Sequence, residues 1–175
     1  EPKKAVINDM NSQLINMYVQ VQDRLDQLLS MLDFYQTNYN SKSTMAEKDA
    51  YYYDLRDEYN RLNVVLNGDF ASNITASLTC AALFIFLNKA CFNGLHRVNS
   101  KGLFNVPCAR KSKLNLYDEE NIESVSTILK QCDILNTDFE KACENAKQGD
   151  FVFFDSPYAE TFDAYQAGGF SEEDH

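Results

Sequence analysis

The sequence predicts an α/β fold in which a helical region is inserted between strand-forming segments. A short apolar segment that ends in an acid occupies residues 4–9. Two more strand-like segments follow late in the chain, at residues 132–136 and 151–154. Between them, apolar residues recur at helical spacing from residue 13 to about residue 90. This order indicates a strand-containing body interrupted by a run of helices.

The chain of 175 residues is long enough for one hydrophobic core and a small additional domain. We therefore predict a discontinuous body, residues 1–12 and 118–175, and an inserted helical domain, residues 13–117. A β-hairpin at about residues 92–107 is expected within the inserted domain. An apolar content of 45% is that of a folded globular protein.

Three long helices are predicted in the inserted domain. In the first, apolar residues at spacings of four and three share one face: Leu14, Tyr18, Val21, Leu25, Leu28 and Leu32. Residues 38–43 end this helix. The second covers about residues 46–66, and the third about residues 72–90 with Ser72 as candidate N-cap. Later helices are expected at about residues 119–130 and in a short segment before Lys147.

Charge is distributed unevenly along the chain. Residues 70–117 contain no acidic residue but six basic ones, namely Lys89, Arg97, Lys101, Arg110, Lys111 and Lys113. Since the whole chain has a net charge of −10, the remainder carries −16. A basic face on an acidic body favours a polyanionic partner such as nucleic acid. A locally basic loop without a partner is the alternative.

Composition argues against several other classes of protein. The longest apolar run, Cys80 to Leu87, is too short to span a membrane. The first residues lack a signal-peptide pattern, and they also lack a Met. Five cysteines without a Cys-x-x-Cys pair suggest free thiols in a reducing cytoplasm, and two histidines make a zinc site unfavourable. We therefore expect a cytoplasmic protein without a membrane or metal partner.

The apolar segment Phe151-Val-Phe-Phe ends at Asp155, and Ser156, Pro157 and Tyr158 follow. If the segment is a strand, Asp155 lies at its carboxyl end, where open α/β sheets place their active sites. Pro157 fixes a turn, and Tyr158 adds an aromatic face. An ordinary strand followed by a proline turn is the alternative.

The first strand-like segment also ends in an acid, Asp9. An acid at the end of such a strand commonly accepts hydrogen bonds from a ribose diol. The alternative is that Asp9 or Ser12 caps the helix that follows.

The predicted hairpin has basic residues near its tip. Two β-prone stretches flank Asn99-Ser-Lys-Gly102, where glycine can adopt a positive φ. Arg97 and Lys101 lie on this ribbon. A two-stranded ribbon fits the DNA major groove, where an arginine can pair with guanine. A surface hairpin without a ligand is the alternative.

Together these segments resemble Dam-type DNA adenine-N6 methyltransferases, which are related to GATC-modifying enzymes of restriction systems. The matching motifs are Ile7-Asn-Asp9-Met-Asn11, Phe86-Leu-Asn88, Asn93-Gly-Leu-x-Arg97-x-Asn99, Gly102-x-Phe-Asn-Val-Pro107, Asp138-Phe139, Asp155-Ser-Pro-Tyr158 and Phe162-x-x-Tyr165. They occur in the family's order and cover most of the chain. The resemblance implies a partial Rossmann-like sheet that uses S-adenosylmethionine, with an inserted helical DNA-recognition subdomain.

The resemblance also implies a role for each matching residue. Asp155 and the carbonyl of Pro157 are expected to accept hydrogen bonds from the target adenine, on which Tyr158 stacks. Asp9 is expected to bind the ribose of S-adenosylmethionine, and Asp138 and Phe139 its adenine. Double-stranded DNA is the expected partner, with Arg97 reading a guanine. The other expected DNA contacts are Phe92, Asn93, Leu95, Asn99, Lys101, Pro107, Lys111 and Lys113.

Two departures from the family pattern affect these expectations. The family's Phe-x-Gly-x-Gly loop and its later strands do not occur within the 175 residues. We therefore expect an internal segment that is inactive alone and binds S-adenosylmethionine weakly. Ser156 replaces the first proline of the family motif, which makes the turn less rigid. A DNA-binding fragment without catalysis, a protein or RNA methyltransferase, and a helical interaction module remain alternatives.

Overall fold

In the computed structural model of the protein, which describes residues 4–155, six α-helices and two β-strands form a helix-rich α/β structure. The strands are β1 (Ala5–Asn8) and β2 (Cys132–Leu135). The helices are α1 (Ser12–Asp23), α2 (Leu25–Ser41), α3 (Met45–Leu66), α4 (Ile74–Ala90), α5 (Glu119–Leu129) and α6 (Phe139–Cys143). None of the helices in this range is long and apolar enough to cross a lipid bilayer.

The two strands pair in parallel although most of the chain separates them. Ala5 lies opposite Cys132, and Asn8 lies opposite Leu135. Because the strands are parallel, both of their carboxyl ends lie at the same edge of the sheet. The prediction that the chain combines helices with a parallel sheet is confirmed. The structure is helix-rich, and its described sheet has two parallel strands.

The strand predicted at residues 151–154 is not formed. These residues have no regular secondary structure, and Phe151 and Phe153 are 89% and 77% exposed. A strand needs a hydrogen-bonded neighbour to be stable. Among residues 4–155, β1 and β2 pair with each other, and no third strand lies beside them. The apolar composition of the segment was therefore insufficient to predict its structure.

The first predicted helix is two helices. Arg24 separates α1 from α2 with φ −140° and ψ 36°, and neither proline nor glycine marks this break. α1 packs against α4, α5 and β2, whereas α2 packs against α4 and α3. The break lets the two halves of one apolar stripe meet different neighbours. Val21, Leu28 and Leu32 of that stripe are buried.

Other helix boundaries also differ from the predictions. Asn73, not Ser72, caps α4, because its side-chain oxygen accepts a hydrogen bond from the Ala76 amide at 3.0 Å. α2 continues to Ser41, past the predicted break that begins at residue 38. α6 ends at Cys143, earlier than predicted.

Helix α4 is the centre of the core. It is apolar on most of its surface, which is typical of a helix surrounded by other elements. Phe86 of α4 is fully buried, and four aromatic rings lie 6.0–6.4 Å from its ring: Tyr35, Tyr39, Tyr51 and Tyr52. These tyrosines come from α2 and α3, so α4 holds the long helices together.

The packing of α1 joins the sheet to the helices. Gln22 of α1 donates hydrogen bonds to the carbonyls of Leu129 and Cys132, at 2.6 and 3.0 Å. Ser126 of α5 donates to the Val21 carbonyl at 2.7 Å. One continuous hydrophobic cluster includes residues from α1 to α5. The predicted boundary between residues 12 and 13 therefore does not coincide with a gap in the core, and the division into two domains stays a prediction.

Candidate functional site

The carboxyl ends of β1 and β2 meet in a group of polar residues that we call the strand-end cluster: Asn8, Asp9, Asn136, Thr137 and Asp138. Asn8 donates to the carbonyl of Thr137 at 2.9 Å and accepts from its amide at 3.0 Å. Asn136 donates to the carbonyl of Asp9 at 2.7 Å. These bonds fix the two strand ends relative to each other, so Asp9 and Asp138 occupy the same edge of the sheet.

Each of the two acids in the cluster uses one carboxylate oxygen locally. Oδ1 of Asp9 accepts a hydrogen bond from the Asn11 amide at 2.7 Å, and Oδ1 of Asp138 accepts from the Glu140 amide at 2.9 Å. Asp138 is the N-cap of α6. The cap of α1 is Asn11, so the alternative that Asp9 or Ser12 caps this helix is wrong. The Oδ2 atoms of both acids remain able to accept hydrogen bonds from a ligand.

The residues around Asp155 approach the same edge. The ring of Phe154 meets the ring of Phe139 edge to face, with centroids 6.0 Å apart and planes at 88°. Phe139 directly follows Asp138, and Phe154 directly precedes Asp155. The contact therefore brings the segment that precedes the expected catalytic acid beside α6, which begins at the strand-end cluster. Pro157 and Tyr158 lie outside the described residues.

The hairpin predicted at residues 92–107 has the expected reversal of the chain. Two antiparallel bridges, Cys91 with Cys108 and Val98 with Phe104, align its two sides. At the tip, Gly102 adopts φ +72°. The side chain of Asn99 accepts hydrogen bonds from the amides of Lys101 and Leu103, at 2.9 and 3.1 Å. The side-chain oxygen of Asn99 therefore stabilises the turn.

Helix α3 holds the returning side of the hairpin. The Asn60 side chain binds both peptide groups of Phe104, donating at 3.0 Å and accepting at 2.8 Å. The hydroxyl of Tyr52 donates to the Val106 carbonyl at 2.8 Å. Phe104 and Val106 are buried, at 3% and 1% exposure. The hairpin is therefore fixed to the helices along one side.

His96 contributes to this packing. Its ring lies 5.5 Å from that of Phe84 and 5.8 Å from that of Phe104. Burial lowers the pKa of His96, which favours its neutral form. His96 precedes Arg97, the expected guanine reader, and is thus part of the packing that supports the hairpin.

The opposite side of the hairpin and its base are exposed. Phe92 and Leu95 are 52% and 47% exposed, so both apolar side chains are accessible to a partner. Asn93 between them adopts φ +53°. Arg97, Lys101 and Pro107 are also exposed.

The basic residues have different surroundings. The Lys111 ammonium donates to the Lys89 carbonyl at 2.7 Å, at the carboxyl end of α4. Arg110 forms an ion pair with Asp49 at 2.8 Å. Lys113 is exposed. Of the two expected DNA contacts in this segment, Lys111 therefore has a structural partner as well, and Lys113 is the more available.

The segment that carries these basic residues lies against α2. Asn40 binds both peptide groups of Leu114, at 2.9 and 2.8 Å. Gln36 accepts from the Leu116 amide at 2.7 Å, and Tyr117 donates to Asp33 at 2.7 Å. Three α2 side chains, at spacings of three and four, therefore hold an otherwise irregular segment in place.

The described site residues thus lie in two regions. One is the strand-end cluster with the segment that ends at Asp155, and the other is the hairpin with the basic segment. No hydrogen bond shown within residues 4–155 joins the two regions. No group of three His, Cys, Asp or Glu residues suited to hold a metal occurs in this range either.

Sequence reasoning missed three asparagines that position the expected site residues, namely Asn8, Asn60 and Asn105. Two of them lie within quoted motifs, Asn8 beside Asp9 and Asn105 in Phe-Asn-Val-Pro, and this could have identified them. Asn60 lies within a helix without any local signal, because its partner Phe104 is 44 residues away.

Comparisons with known proteins agree with the resemblance found in the sequence. The family model of D12 class N6 adenine-specific DNA methyltransferases matches residues 1–175. The chain is 42% identical to the type II methyltransferase M1.LlaDCHI of Lactococcus lactis subsp. cremoris, and 36% identical to the type II methyltransferase M.MjaIII of Methanocaldococcus jannaschii. Each alignment covers 99% of this chain and 58% of the relative.

A further relative is the retron Ec67 DNA adenine methylase of Escherichia coli, 26% identical over 97% of this chain and 53% of the relative. The chain thus spans a little over half the length of these relatives. Because the family model matches the whole chain, the chain belongs to the D12 class of N6 adenine-specific DNA methyltransferases.

Proposed function

We propose that the protein containing this chain is a site-specific DNA adenine-N6 methyltransferase. Its methyl donor is S-adenosylmethionine and its substrate is duplex DNA with a GATC-like site, in a restriction-modification setting. The observation that carries the proposal is the position of Asp9 and Asp138 at one edge of the sheet, with Phe154 against Phe139 beside them. The family match and the type II methyltransferases among the relatives support it.

The strand-end cluster has the chemistry that S-adenosylmethionine requires. The Oδ2 atom of Asp9 can accept from a ribose hydroxyl, and that of Asp138 from the adenine amine. Phe139 supplies an aromatic face beside them. When bound, S-adenosylmethionine supplies the electrophilic methyl group.

The roles proposed for Asp155, Pro157 and Tyr158 concern the target adenine. Duplex DNA hides this base, so the nucleotide must leave the stack before it can react. Asp155 and the Pro157 carbonyl accept hydrogen bonds from the exocyclic amine and hold its nitrogen in position for attack. Tyr158 stacks on the ring. The protein contributes positioning and electrostatics, and no protein nucleophile is required.

The hairpin and the basic segment are proposed to bind the duplex. Arg97 reads a guanine edge, while Leu95 and Pro107 contact neighbouring bases. Phe92 and Asn93 hold the distorted duplex. Lys101, Lys111 and Lys113 neutralise phosphates, which makes binding depend on salt.

Substitution of Asp155 tests the chemistry. In the full-length protein, Asp155→Ala is expected to retain DNA binding and lose transfer of a tritiated methyl group to DNA. Asp133→Ala is the matched control, because Asp133 is an exposed acid of β2 that pairs with Lys4 at 2.7 Å. It is expected to retain both properties. Methylation by Asp155→Ala at the unsubstituted rate would overturn the assignment.

Substitution of Arg97 tests the role of the hairpin. Arg97→Ala is expected to reduce discrimination between cognate and altered duplexes by ~1–3 kcal/mol. If the substitution weakened binding to both duplexes equally, Arg97 would be a phosphate contact. The hairpin would then lose its role as the reading element.

A further inference from the structure

The side chain of Arg97 is held by a residue on the other side of the hairpin. Its Nε donates to the Asn105 side-chain oxygen at 2.8 Å, and one Nη donates to the Asn105 carbonyl at 3.4 Å. The main-chain amide of Asn105 in turn donates to the Arg97 carbonyl at 3.2 Å. Asn105 therefore binds both the main chain and the side chain of the arginine.

These contacts determine which part of the guanidinium group stays available. A guanidinium group has five N–H donors, one on Nε and two on each Nη. Asn105 occupies the Nε donor and one Nη donor. The three remaining donors lie at the end of the group, across both Nη atoms. A paired contact with O6 and N7 of guanine can use these two Nη atoms while the bonds to Asn105 persist.

Asn105 itself lies between two anchored residues. Phe104 on one side is buried and bound by Asn60 through both peptide groups. Val106 on the other side is buried, and its carbonyl accepts from Tyr52. The main chain of Asn105 is therefore fixed relative to the helices, whereas Arg97 is on the exposed side.

We propose that Asn105 is a positioning residue for base readout, which holds the Arg97 guanidinium so that its two Nη atoms meet a guanine. This inference rests on the proposed function, since it requires that the hairpin read DNA. Asn105 acts through Arg97, not through contact with the base. An unrestrained exposed arginine loses side-chain freedom when it binds, at a cost of about 10-fold in affinity. The bonds to Asn105 remove part of this cost before DNA arrives.

The test compares guanine with 7-deazaguanine, which lacks the N7 acceptor, at each guanine of the recognition site in turn. With the full-length protein, Kd and the methylation kcat/KM are measured for both duplexes. Loss of one charged hydrogen bond is expected to weaken the unsubstituted protein about 10-fold at the guanine that Arg97 reads. The ratio is taken within one preparation, so a lower folded fraction in a variant cancels.

Three variants separate positioning from general stability. Asn105→Ala is expected to reduce the 7-deazaguanine effect to about threefold or less, because it restores the freedom of Arg97. Asn105→Asp keeps an oxygen acceptor, so it is expected to keep the full effect while its charge weakens binding to all duplexes. In the Arg97→Ala background, Asn105→Ala is expected to change the ratio no further.

The outcomes distinguish this inference from the proposed function. If Arg97→Ala removes the 7-deazaguanine effect and Asn105→Ala leaves it intact, the positioning role is wrong and the function stands. If neither substitution alters the effect, the hairpin does not read guanine, and the inference fails even if DNA is methylated. If the unsubstituted protein methylates no duplex, the methyltransferase proposal fails, while the Kd ratios still test the role of Asn105.

Discussion

Replacing Asn60 with alanine is expected to loosen the hairpin from the helical core. Asn60 lies within α3, and its side chain binds both peptide groups of Phe104, 44 residues away. Phe104 is 3% exposed, so its peptide groups have little access to water once the asparagine is gone. The substitution therefore removes two hydrogen bonds and leaves two peptide groups without their partner.

The magnitude follows from these contacts. Each hydrogen bond contributes ~0.5–1.5 kcal/mol, and a poorly solvated group left unpaired costs ~1–3 kcal/mol. Alanine is a better helix former than asparagine, which adds roughly 0.5 kcal/mol to the free energy of unfolding. We expect a net loss of about 2 kcal/mol in the free energy of unfolding. Asn60→Asp keeps the acceptor but turns a carboxylate oxygen toward the Phe104 carbonyl, so the loss is expected to be at least as large.

Urea denaturation measures the total effect, and hydrogen exchange of the Phe104 amide measures the local one. Asn38→Ala is a matched control on α2, since the half-buried Asn38 side chain donates to the Phe34 carbonyl of its own helix, at 2.8 Å. It shares the gain in helix propensity but has no role in the hairpin. Equal unfolding free energies for Asn60→Ala and Asn38→Ala would refute the reasoning. So would an unchanged exchange rate at Phe104.

Four further predictions concern other residues. Lys111→Ala is expected to cost about 0.5–1 kcal/mol in thermal unfolding, because it removes an ammonium from the carboxyl end of α4. Lys113→Ala is expected to spare stability but lower the slope of log affinity against log salt by about one in a DNA titration. Burial lowers the pKa of His96, so the unfolded chain binds more protons as the pH falls below about 6.5 and stability decreases; His96→Phe should flatten this part of the Tm–pH profile. Asn8→Ala is expected to lower Tm by weakening the link to Thr137, while an unchanged Tm would show that the bonds contribute no net stability.

The predictions for Asn8 and Asn60 involve one kind of contact, which also occurs at Asn40. Asn8, Asn40 and Asn60 each bind both peptide groups of one distant residue, namely Thr137, Leu114 and Phe104. A side-chain amide has one donor and one acceptor side, so it can substitute for the neighbouring strand that an irregular segment lacks. All three of these segments carry residues proposed for the site. Their positions thus depend on side-chain contacts more than on regular secondary structure.

Local patterns in the sequence determined much of the architecture. Apolar periodicity predicted α3 and α5 to within a residue, and the strand-like segments at residues 4–9 and 132–136 predicted β1 and β2. The turn at Asn99–Gly102 followed from the need for a residue with positive φ. Each of these features depends on residues close together in sequence, so a short pattern contains the required information. Motif order was sufficient to identify the family.

Tertiary packing decided the features that depend on distant partners. The break at Arg24 arises where one apolar stripe meets two sets of neighbours, and no local residue marks it. Phe151–Phe154 has a strand-like composition but no strand partner among the described residues. The bonds of Asn60 to Phe104 and of Arg97 to Asn105 form because folding brings these groups within hydrogen-bonding distance. The sequence supplied the reactive and charged groups, and packing set the direction in which each one is held.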